Sequence, residues 1–307
     1  MKSIKCLLLS LLVVGLLACQ TGKKEKSANE KLSIICTTGM LGDAVKNIVG
    51  SKAEVLSLMG PGVDPHLYKA TQGDLKKLTN ADVIIYNGLH LEGKMGEIFE
   101  KLENRKTIMV AANAVDETEL INTTAFQGAY DPHLWFDVDL WSHVTAYLSR
   151  QLIAETNLNP DSLNANASAY VNKLVKLDQW VAEELQQIDS SKRVLITAHD
   201  AFGYFGRAYQ IEVKGLQGIS TLSEYGLKDV SNLVNFITER GIRSVFVESS
   251  VSERSLNAVV EGCKSRGHEV KIGGTLFSDA MGENGTAEGT YIGMVRYNVK
   301  TIVKGLK

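Results

Sequence analysis

Three histidines and one aspartate stand where predicted β-strands end, and all four side chains carry atoms that bind metal ions. His66 lies in GPGVDPHLY, directly after the apolar run AEVLSLM, and His199 closes the run RVLITAH. His133 lies in the loop GAYDPHLW, and Asp279 lies in GGTLFSDAMGENGT after another predicted strand. Each residue alone reads as an ordinary loop residue. Together, three imidazoles and a carboxylate are a common ligand set for a divalent first-row metal ion.

Short apolar strands alternate with amphipathic helices along the chain, a pattern typical of parallel sheets covered by helices. Four strands are predicted in residues 32–160, and four more follow in residues 191–307. The predicted fold class is therefore α/β, with two similar lobes that each contain a four-stranded, mainly parallel sheet flanked by helices.

A long helix is predicted between the two lobes, over residues 161–190. It follows the helix-start sequence NPDS and has no interior glycine or proline. At 1.5 Å per residue, such a helix extends roughly 40 Å. We therefore expect one long, rigid linker helix rather than a flexible hinge.

The candidate ligands come in pairs from the two lobes. His66 and His133 belong to the first lobe, and His199 and Asp279 belong to the second. Ligands of open α/β sheets bind beyond the carboxyl ends of the strands, so a cleft between facing lobes would bring the four together. Nearby carboxylates would orient the rings and offset the charge of the ion. The candidates for that role are Asp64, Asp137, Asp200 and Glu248.

The N-terminus predicts export and a lipid anchor. Lys2 and Lys5 precede a short apolar run, so residues 1–18 read as a signal peptide. The segment LLAC resembles a bacterial lipobox, which would make Cys19 the lipidated residue. Residues 19–31 then read as a polar tether that joins the anchored end to the folded protein.

The remaining composition is that of an ordinary globular chain. The sequence has 307 residues and a formal net charge of −2, which gives no sign of a nucleic-acid partner. Cys36 and Cys263 are far apart and have no CxxC spacing, so we expect two buried thiols. The other histidines are interpreted as surface, cap or turn residues, namely His90, His143 and His268.

Several motifs resemble one family throughout residues 31–307. They are GPGVDPHLY, YNGLHLEGKM, YDPHLWFDV, TAHDAFGYFGRAY, GLQGISTLSE, FVESSVS and FSDAMGENGTAEGTYIGM. These look like the cluster A-I, or TroA-like, solute-binding proteins, the metal-binding lipoprotein receptors of bacterial ABC uptake systems. The resemblance implies that His66, His133, His199 and Asp279 are the metal ligands, and that two lobes are joined by one rigid helix. It also implies an ABC permease and its ATPase as partners, and an extracytoplasmic location on a membrane-anchored, monomeric receptor.

The resemblance implies zinc, manganese or both as cargo. Manganese members of the family usually have glutamate at the position of His199, and the extra nitrogen favours zinc. Zinc-dedicated members often carry a His-rich loop between the first two ligands, whereas ANAVDETELINTTAFQGAYDP has no histidine. We expect both Zn²⁺ and Mn²⁺ to bind, with Zn²⁺ the tighter.

Three alternatives remain at this stage. A zinc hydrolase would need an open coordination position and a general base, and the chain has no HExxH motif, so we expect no enzyme. A metal-dependent surface adhesin is described among family members, but no host-binding motif is recognisable here. A receptor for an organic solute would need a roomier pocket with aromatic or arginine clamps.

Overall fold

The computed structural model describes residues 31–123 and 129–307. The predicted signal peptide, Cys19 and the tether up to residue 30 lie outside the described residues. Among the helices that are described, none combines the length and the apolar character needed to cross a bilayer.

The first sheet contains four parallel strands in the order β2-β1-β3-β4. Its strands are β1 (Leu32–Cys36), β2 (Ala53–Ser57), β3 (Val83–Tyr86) and β4 (Thr107–Val110). The helices that follow the first three strands are α1 (Gly39–Val49), α2 (Gln72–Asn80) and α3 (Gly96–Glu103). We call the part of the chain built around this sheet lobe 1.

The second sheet repeats this arrangement, with four parallel strands in the order β6-β5-β7-β8. Its strands are β5 (Val194–His199), β6 (Glu212–Gln217), β7 (Ser244–Glu248) and β8 (Lys271–Leu276). Its helices are α6 (Gly203–Tyr209), α7 (Leu227–Glu239), α8 (Arg254–Ser265) and α9 (Tyr291–Leu306). This part is lobe 2, and the two sheets confirm the predicted fold class.

Two helices connect the lobes in sequence. Helix α5 (Pro160–Leu185) begins with proline in its first turn, and the Asn159 side chain accepts a hydrogen bond from the Ser162 amide. It ends at Leu185, before the end of the predicted range at 190. Helix α4 (Val138–Glu155) is absent from the predicted elements, although its apolar residues recur at helical spacing. Asp137 caps α4 by accepting a hydrogen bond from the Leu140 amide.

One apolar cluster runs through both lobes and the linker helix. It includes Leu41 of α1, Trp141 of α4, Leu174 of α5, Phe205 of α6 and Tyr291 of α9, all buried. Two smaller clusters fill the outer layers of the individual sheets. Because side chains from both lobes interdigitate in the large cluster, the lobes are held as one packed body.

The two cysteines outside the N-terminal segment behave as the sequence predicts. Cys36 and Cys263 are both buried, and both are free thiols. Each packs as a small apolar side chain within a hydrophobic cluster.

Candidate metal centre

The structure brings the four predicted ligands together at the carboxyl edges of the two sheets. His199 is the last residue of β5, and Asp279 follows the end of β8. His66 lies between β2 and α2, and His133 directly precedes a 3₁₀ turn at Leu134–Phe136. Each of the four residues is at most 2% exposed. One donor atom from each residue lies within 4.8 Å of the other three.

The separations between donor atoms suit a single ion. His199 Nε2 lies 3.2 Å from Asp279 Oδ2, and His133 Nε2 lies 3.4 Å from Asp279 Oδ1. His66 Nε2 lies 3.3 Å from His133 Nε2 and 3.8 Å from Asp279 Oδ2. A tetrahedral site with bonds of about 2.0–2.1 Å places its donors about 3.3 Å apart. The four side chains can therefore surround one cation without a large rearrangement.

Buried polar atoms at this point lack the partners that a folded protein normally provides. Both carboxylate oxygens of Asp279 and Nε2 of His199 have no hydrogen-bond partner among the described residues. Leaving such atoms buried and unsatisfied is costly, and native structures usually explain each case by a bound group. A cation in contact with Asp279 and His199 would satisfy these atoms.

Asp131 orients the ring of His133. Its Oδ1 atom accepts a hydrogen bond from the His133 amide at 2.9 Å and lies 2.7 Å from Nδ1 of the same residue. Contact at Nδ1 leaves Nε2 directed at Asp279, and a cation held there would complete the carboxylate–histidine–metal arrangement found at many metal sites. Asp131 was not among the sequence candidates. The sequence feature that could have identified Asp131 is its position two residues before His133.

Glu248 plays the corresponding part for His199. Its Oε1 atom accepts a hydrogen bond from the His199 amide at 2.8 Å, and its Oε2 atom lies 2.5 Å from His199 Nδ1. Glu248 ends β7, which lies beside β5 in the sheet. The neighbouring strand thus supplies a carboxylate that fixes both the backbone and the ring of this histidine.

Asp64 is used differently, although Asp64-Pro65-His66 repeats the triplet Asp131-Pro132-His133. Asp64 Oδ1 accepts a hydrogen bond from the His66 amide at 2.8 Å, as in the second triplet. Its Oδ2 atom, however, accepts a hydrogen bond from Thr221 Oγ1 of lobe 2 at 2.6 Å. Nδ1 of His66 has no hydrogen-bond partner among the described residues.

The other two carboxylate candidates do not contact a ligand ring in the described structure. Asp137 caps α4, a helix that was not predicted, and its Oδ2 atom lies 3.6 Å from Arg207 Nη2. Its carboxylate therefore serves the helix and not the ligands. Asp200 follows His199 directly and is half-buried, and burial raises the pKa of its carboxyl group.

The charges within the cluster are strongly coupled. Burial lowers the pKa of His66 to about 3, so its ring is neutral and able to bind a metal. Burial acts in the same direction on His133, but Asp131 and then Asp279 outweigh it and raise the pKa to about 9. Burial likewise opposes the rise at His199, where Glu248 and Asp279 raise the pKa well above its ordinary value. Without a cation, the protonated rings of His133 and His199 supply the positive charge beside these carboxylates.

A hydrogen-bonded frame supports the loop that carries His133. The Asn87 side chain donates a hydrogen bond to the Pro132 carbonyl at 2.9 Å. Glu92 accepts hydrogen bonds from the Asn87 amide at 2.8 Å and from the Thr37 hydroxyl at 2.6 Å. Asn87 and Glu92 belong to the motif YNGLHLEGKM, and neither was singled out from the sequence. His90, in the same motif, is exposed and lies apart from the four ligands.

The frame continues across the two lobes. Trp135 Nε1 donates a hydrogen bond to the Ser278 carbonyl at 3.0 Å, next to Asp279. Tyr291 donates its hydroxyl to the Trp135 carbonyl at 2.7 Å, and Tyr204 donates to the Asp131 carbonyl at 3.0 Å. Lobe 2 therefore holds the His133 segment of lobe 1 on both sides of the ligand.

Comparison with known proteins agrees with this arrangement. Residues 34–305 match the family described as ZnuA, zinc-uptake complex component A, periplasmic. The chain belongs to the ZnuA family. It is 51% identical to the manganese-binding lipoprotein MntA of Bacillus subtilis over 294 residues, which cover 95% of each chain. It is 46% identical to the zinc-binding protein TroA of Treponema pallidum over 285 residues, 93% of this chain and 92% of TroA.

The fold of this ZnuA-family chain also matches a solved structure. The periplasmic zinc-binding protein TroA from Treponema pallidum superposes with a TM-score of 0.88 at 46% sequence identity. The match covers 90% of this chain and 99% of the TroA chain. The ZnuA-family fold thus accounts for both sheets and for the linker helix between them.

Proposed function

We propose that this protein is an extracytoplasmic receptor that binds Zn²⁺ or Mn²⁺ and delivers the ion to an ABC importer. In this proposal His66, His133, His199 and Asp279 are the four ligands. The observation that carries it is the convergence of one donor atom from each residue, two from each lobe, within 4.8 Å in a buried site. Relatives named for manganese binding and for zinc binding support the choice of cargo.

The charges around the site favour a divalent cation. Asp279 would bind the ion directly, while Asp131 and Glu248 contact the rings of His133 and His199. These three carboxylates carry three negative charges, which more than offset the two positive charges of the ion inside a site from which water is largely excluded. Both nitrogen and oxygen donors suit Zn²⁺ and Mn²⁺, and the Irving–Williams order makes Zn²⁺ the tighter of the two.

The burial of the four donors favours a carrier over a zinc hydrolase. A catalytic zinc keeps one position open for water or substrate, and a substrate must reach it. Here each ligand residue is at most 2% exposed. We infer that the ion is enclosed for transport, and that release depends on docking to a permease with its ATPase.

The proposal includes a lipid anchor at Cys19 and a monomeric receptor. The lipobox-like segment LLAC supports the anchor, and the relative MntA is named a lipoprotein. Globomycin, which inhibits cleavage of lipoprotein signals, should cause the precursor to accumulate, and Cys19→Ala should abolish the incorporation of a labelled fatty acid.

Elemental analysis of protein purified without chelators tests the proposed cargo. We expect about one equivalent of zinc plus manganese per chain, and a large loss of bound metal in Asp279→Asn. Protein from metal-replete cells that contains neither ion, and binds neither in vitro, would contradict the proposal. Metal-dependent ester or peptide cleavage would instead support the hydrolase.

A further inference from the structure

The enclosed site raises the question of which ligand moves when an ion enters or leaves. All four ligand residues are at most 2% exposed, so an ion cannot pass unless at least one of them is displaced. The packed cluster through α5 joins the lobes, so a local loop movement disrupts less packing than a separation of the lobes. The ligand whose loop has the fewest contacts with the opposite lobe is therefore the one to identify.

The other three ligands are held in two ways. The two histidines are contacted directly by carboxylates, and Asp279 is held through the segment that precedes it. His133 is fixed by Asp131 at its ring and amide. His199 belongs to a central strand and contacts Glu248 at its ring and amide. Asp279 follows a segment that is tied down by Asn298, which exchanges hydrogen bonds with the Phe277 amide and carbonyl at 2.9 and 2.7 Å.

The ring of His66 lacks the carboxylate contact at Nδ1 that the rings of His133 and His199 have. Its Nδ1 atom has no hydrogen-bond partner in the described part of the chain. The conformation of its loop is stabilised by the Asp64 carboxylate, which accepts a hydrogen bond from the His66 amide. Apart from the contacts of the His66 ring itself, one side-chain hydrogen bond joins this loop to lobe 2 among the described residues. It is the bond from Thr221 Oγ1 to Asp64 Oδ2, at 2.6 Å.

Thr221 is itself positioned by the strand next to His199. Gln217 ends β6 and pairs with His199 in the sheet register. The Gln217 side chain donates hydrogen bonds to the Thr221 carbonyl at 2.7 Å and to the Ser223 carbonyl at 2.6 Å. A chain of hydrogen bonds therefore links the strand of His199 to the loop of His66. It passes through Gln217 and Thr221.

We propose that the Thr221–Asp64 hydrogen bond is a latch that retains the metal ion by holding His66 in place. Thr221 is a positioning residue, since it acts on the ion only through Asp64 and His66. When the bond breaks, the His66 loop moves outward and the ion can leave through the vacated position. This inference rests on the proposed metal-receptor function and assigns a specific control of release to that site.

Thr221→Val tests the latch because valine has the shape of threonine but cannot donate the hydrogen bond. Zn²⁺-loaded protein is mixed with an excess of a colour-forming chelator, and the rate of metal loss is followed. A hydrogen bond to a charged acceptor contributes enough free energy that we expect Thr221→Val to lose Zn²⁺ about ten times faster. The association rate should stay within about a factor of two, because the latch acts on the closed form.

Two variants make the result specific. Thr221→Ser keeps the hydroxyl and should restore the slow release. Thr238→Val makes the same substitution on α7, where the hydroxyl only donates to the Val234 and Asn235 carbonyls, and should release Zn²⁺ as the wild type does. Equal release rates for Thr221→Val and wild type would overturn the latch. So would fast release by Thr221→Ser or by Thr238→Val.

The outcome also separates the latch from the proposed function. If wild-type protein holds Zn²⁺ and Thr221→Val releases it at the same rate, the latch fails and the receptor function stands. If wild-type protein binds neither Zn²⁺ nor Mn²⁺, the proposed function fails before the latch can be considered.

Discussion

Nδ1 of His133 lies 2.7 Å from Oδ1 of Asp131, and both side chains are almost completely buried. The contact fixes the ring so that its other nitrogen faces Asp279. The Asp-Pro-His spacing permits this geometry but does not by itself determine it. The same triplet at Asp64-Pro65-His66 gives a different result. Thr221 donates a hydrogen bond to Oδ2 of Asp64, whereas Oδ2 of Asp131 has no hydrogen-bond partner among the described residues.

Replacing Asp131 should weaken metal binding without removing a ligand. Carboxylates that support ligand histidines typically contribute 10–100-fold to metal affinity, so we expect a loss of about that size for Asp131→Asn. Competition with a chelator of known affinity measures it. Asp137→Asn is the matched control, because asparagine caps a helix as well as aspartate does and Asp137 contacts no ligand ring in the described structure. Equal losses in both variants would refute the assigned role.

Removing a proposed ligand should have a larger effect. Asp279→Asn and His199→Ala should each lower the affinity for Zn²⁺ by several orders of magnitude, since each removes or weakens a donor in a site of four. The folded structure should persist, as judged by circular dichroism. His143→Ala, on the exposed side of α4, is the control and should bind normally. Retention of full affinity by His199→Ala would show that the ligand set is different.

The packing between the lobes predicts cooperative unfolding. Leu174 of α5 is fully buried in the cluster that contains residues of both lobes. Leu174→Ala should reduce the free energy of unfolding by about 2–5 kcal/mol and leave a single transition in urea. Leu227→Ala, at a residue that is 91% exposed, should change it by less than about 0.5 kcal/mol. Two separate transitions in the wild type would contradict a shared core.

Asp74 should make the stability of lobe 1 depend on pH. It accepts hydrogen bonds from the Thr71 hydroxyl at 2.7 Å, the Tyr68 hydroxyl at 2.7 Å, the Thr71 amide at 3.0 Å and Lys77 at 3.1 Å. Burial alone would raise its pKa, but these bonds outweigh burial and hold the pKa well below the usual range. The stabilisation is therefore present above the unfolded-state pKa of about 3.9 and is lost as the pH falls below that value.

Urea unfolding of metal-free protein at pH 7 and at pH 3 tests this dependence. Asp74→Asn should cost about 1–2 kcal/mol at pH 7, since it removes the charge that strengthens the hydrogen bonds. The difference from the wild type should shrink at pH 3, where the Asp74 carboxyl is largely protonated in the unfolded state but still charged in the folded protein. A difference that is the same at both pH values would rule out the charged form of Asp74 as its source.

The fold could be predicted because its signals are local. Most of the eight strands contain short apolar runs, and α5 begins with proline after a capping asparagine, so these elements are marked by their own residues. Helix α4, which starts directly after the His133 loop, was not among the predicted elements. The spacing of Val138, Trp141, Val144 and Leu148 was the available signal.

The surroundings of the ligands were less predictable, because they depend on contacts distant in sequence. Glu248 reaches His199 from the neighbouring strand, and Asn87 reaches the Pro132 carbonyl from the end of β3. Because the two Asp-Pro-His triplets are identical, the sequence could not show which aspartate contacts the ring of the histidine that follows it. That choice depends on Thr221, which is 157 positions from Asp64.

The apolar cluster that includes Leu41, Leu174 and Tyr291 also determines how this protein can be recombined with its relatives. A chimaera that exchanges a whole lobe would cut through interlocking side chains and would have to repack them on both sides of the junction. Grafting only the segments at the strand ends would leave that packing untouched. Metal selectivity is therefore best transferred between such proteins by exchanging single loops, with all sheets and helices kept from one parent.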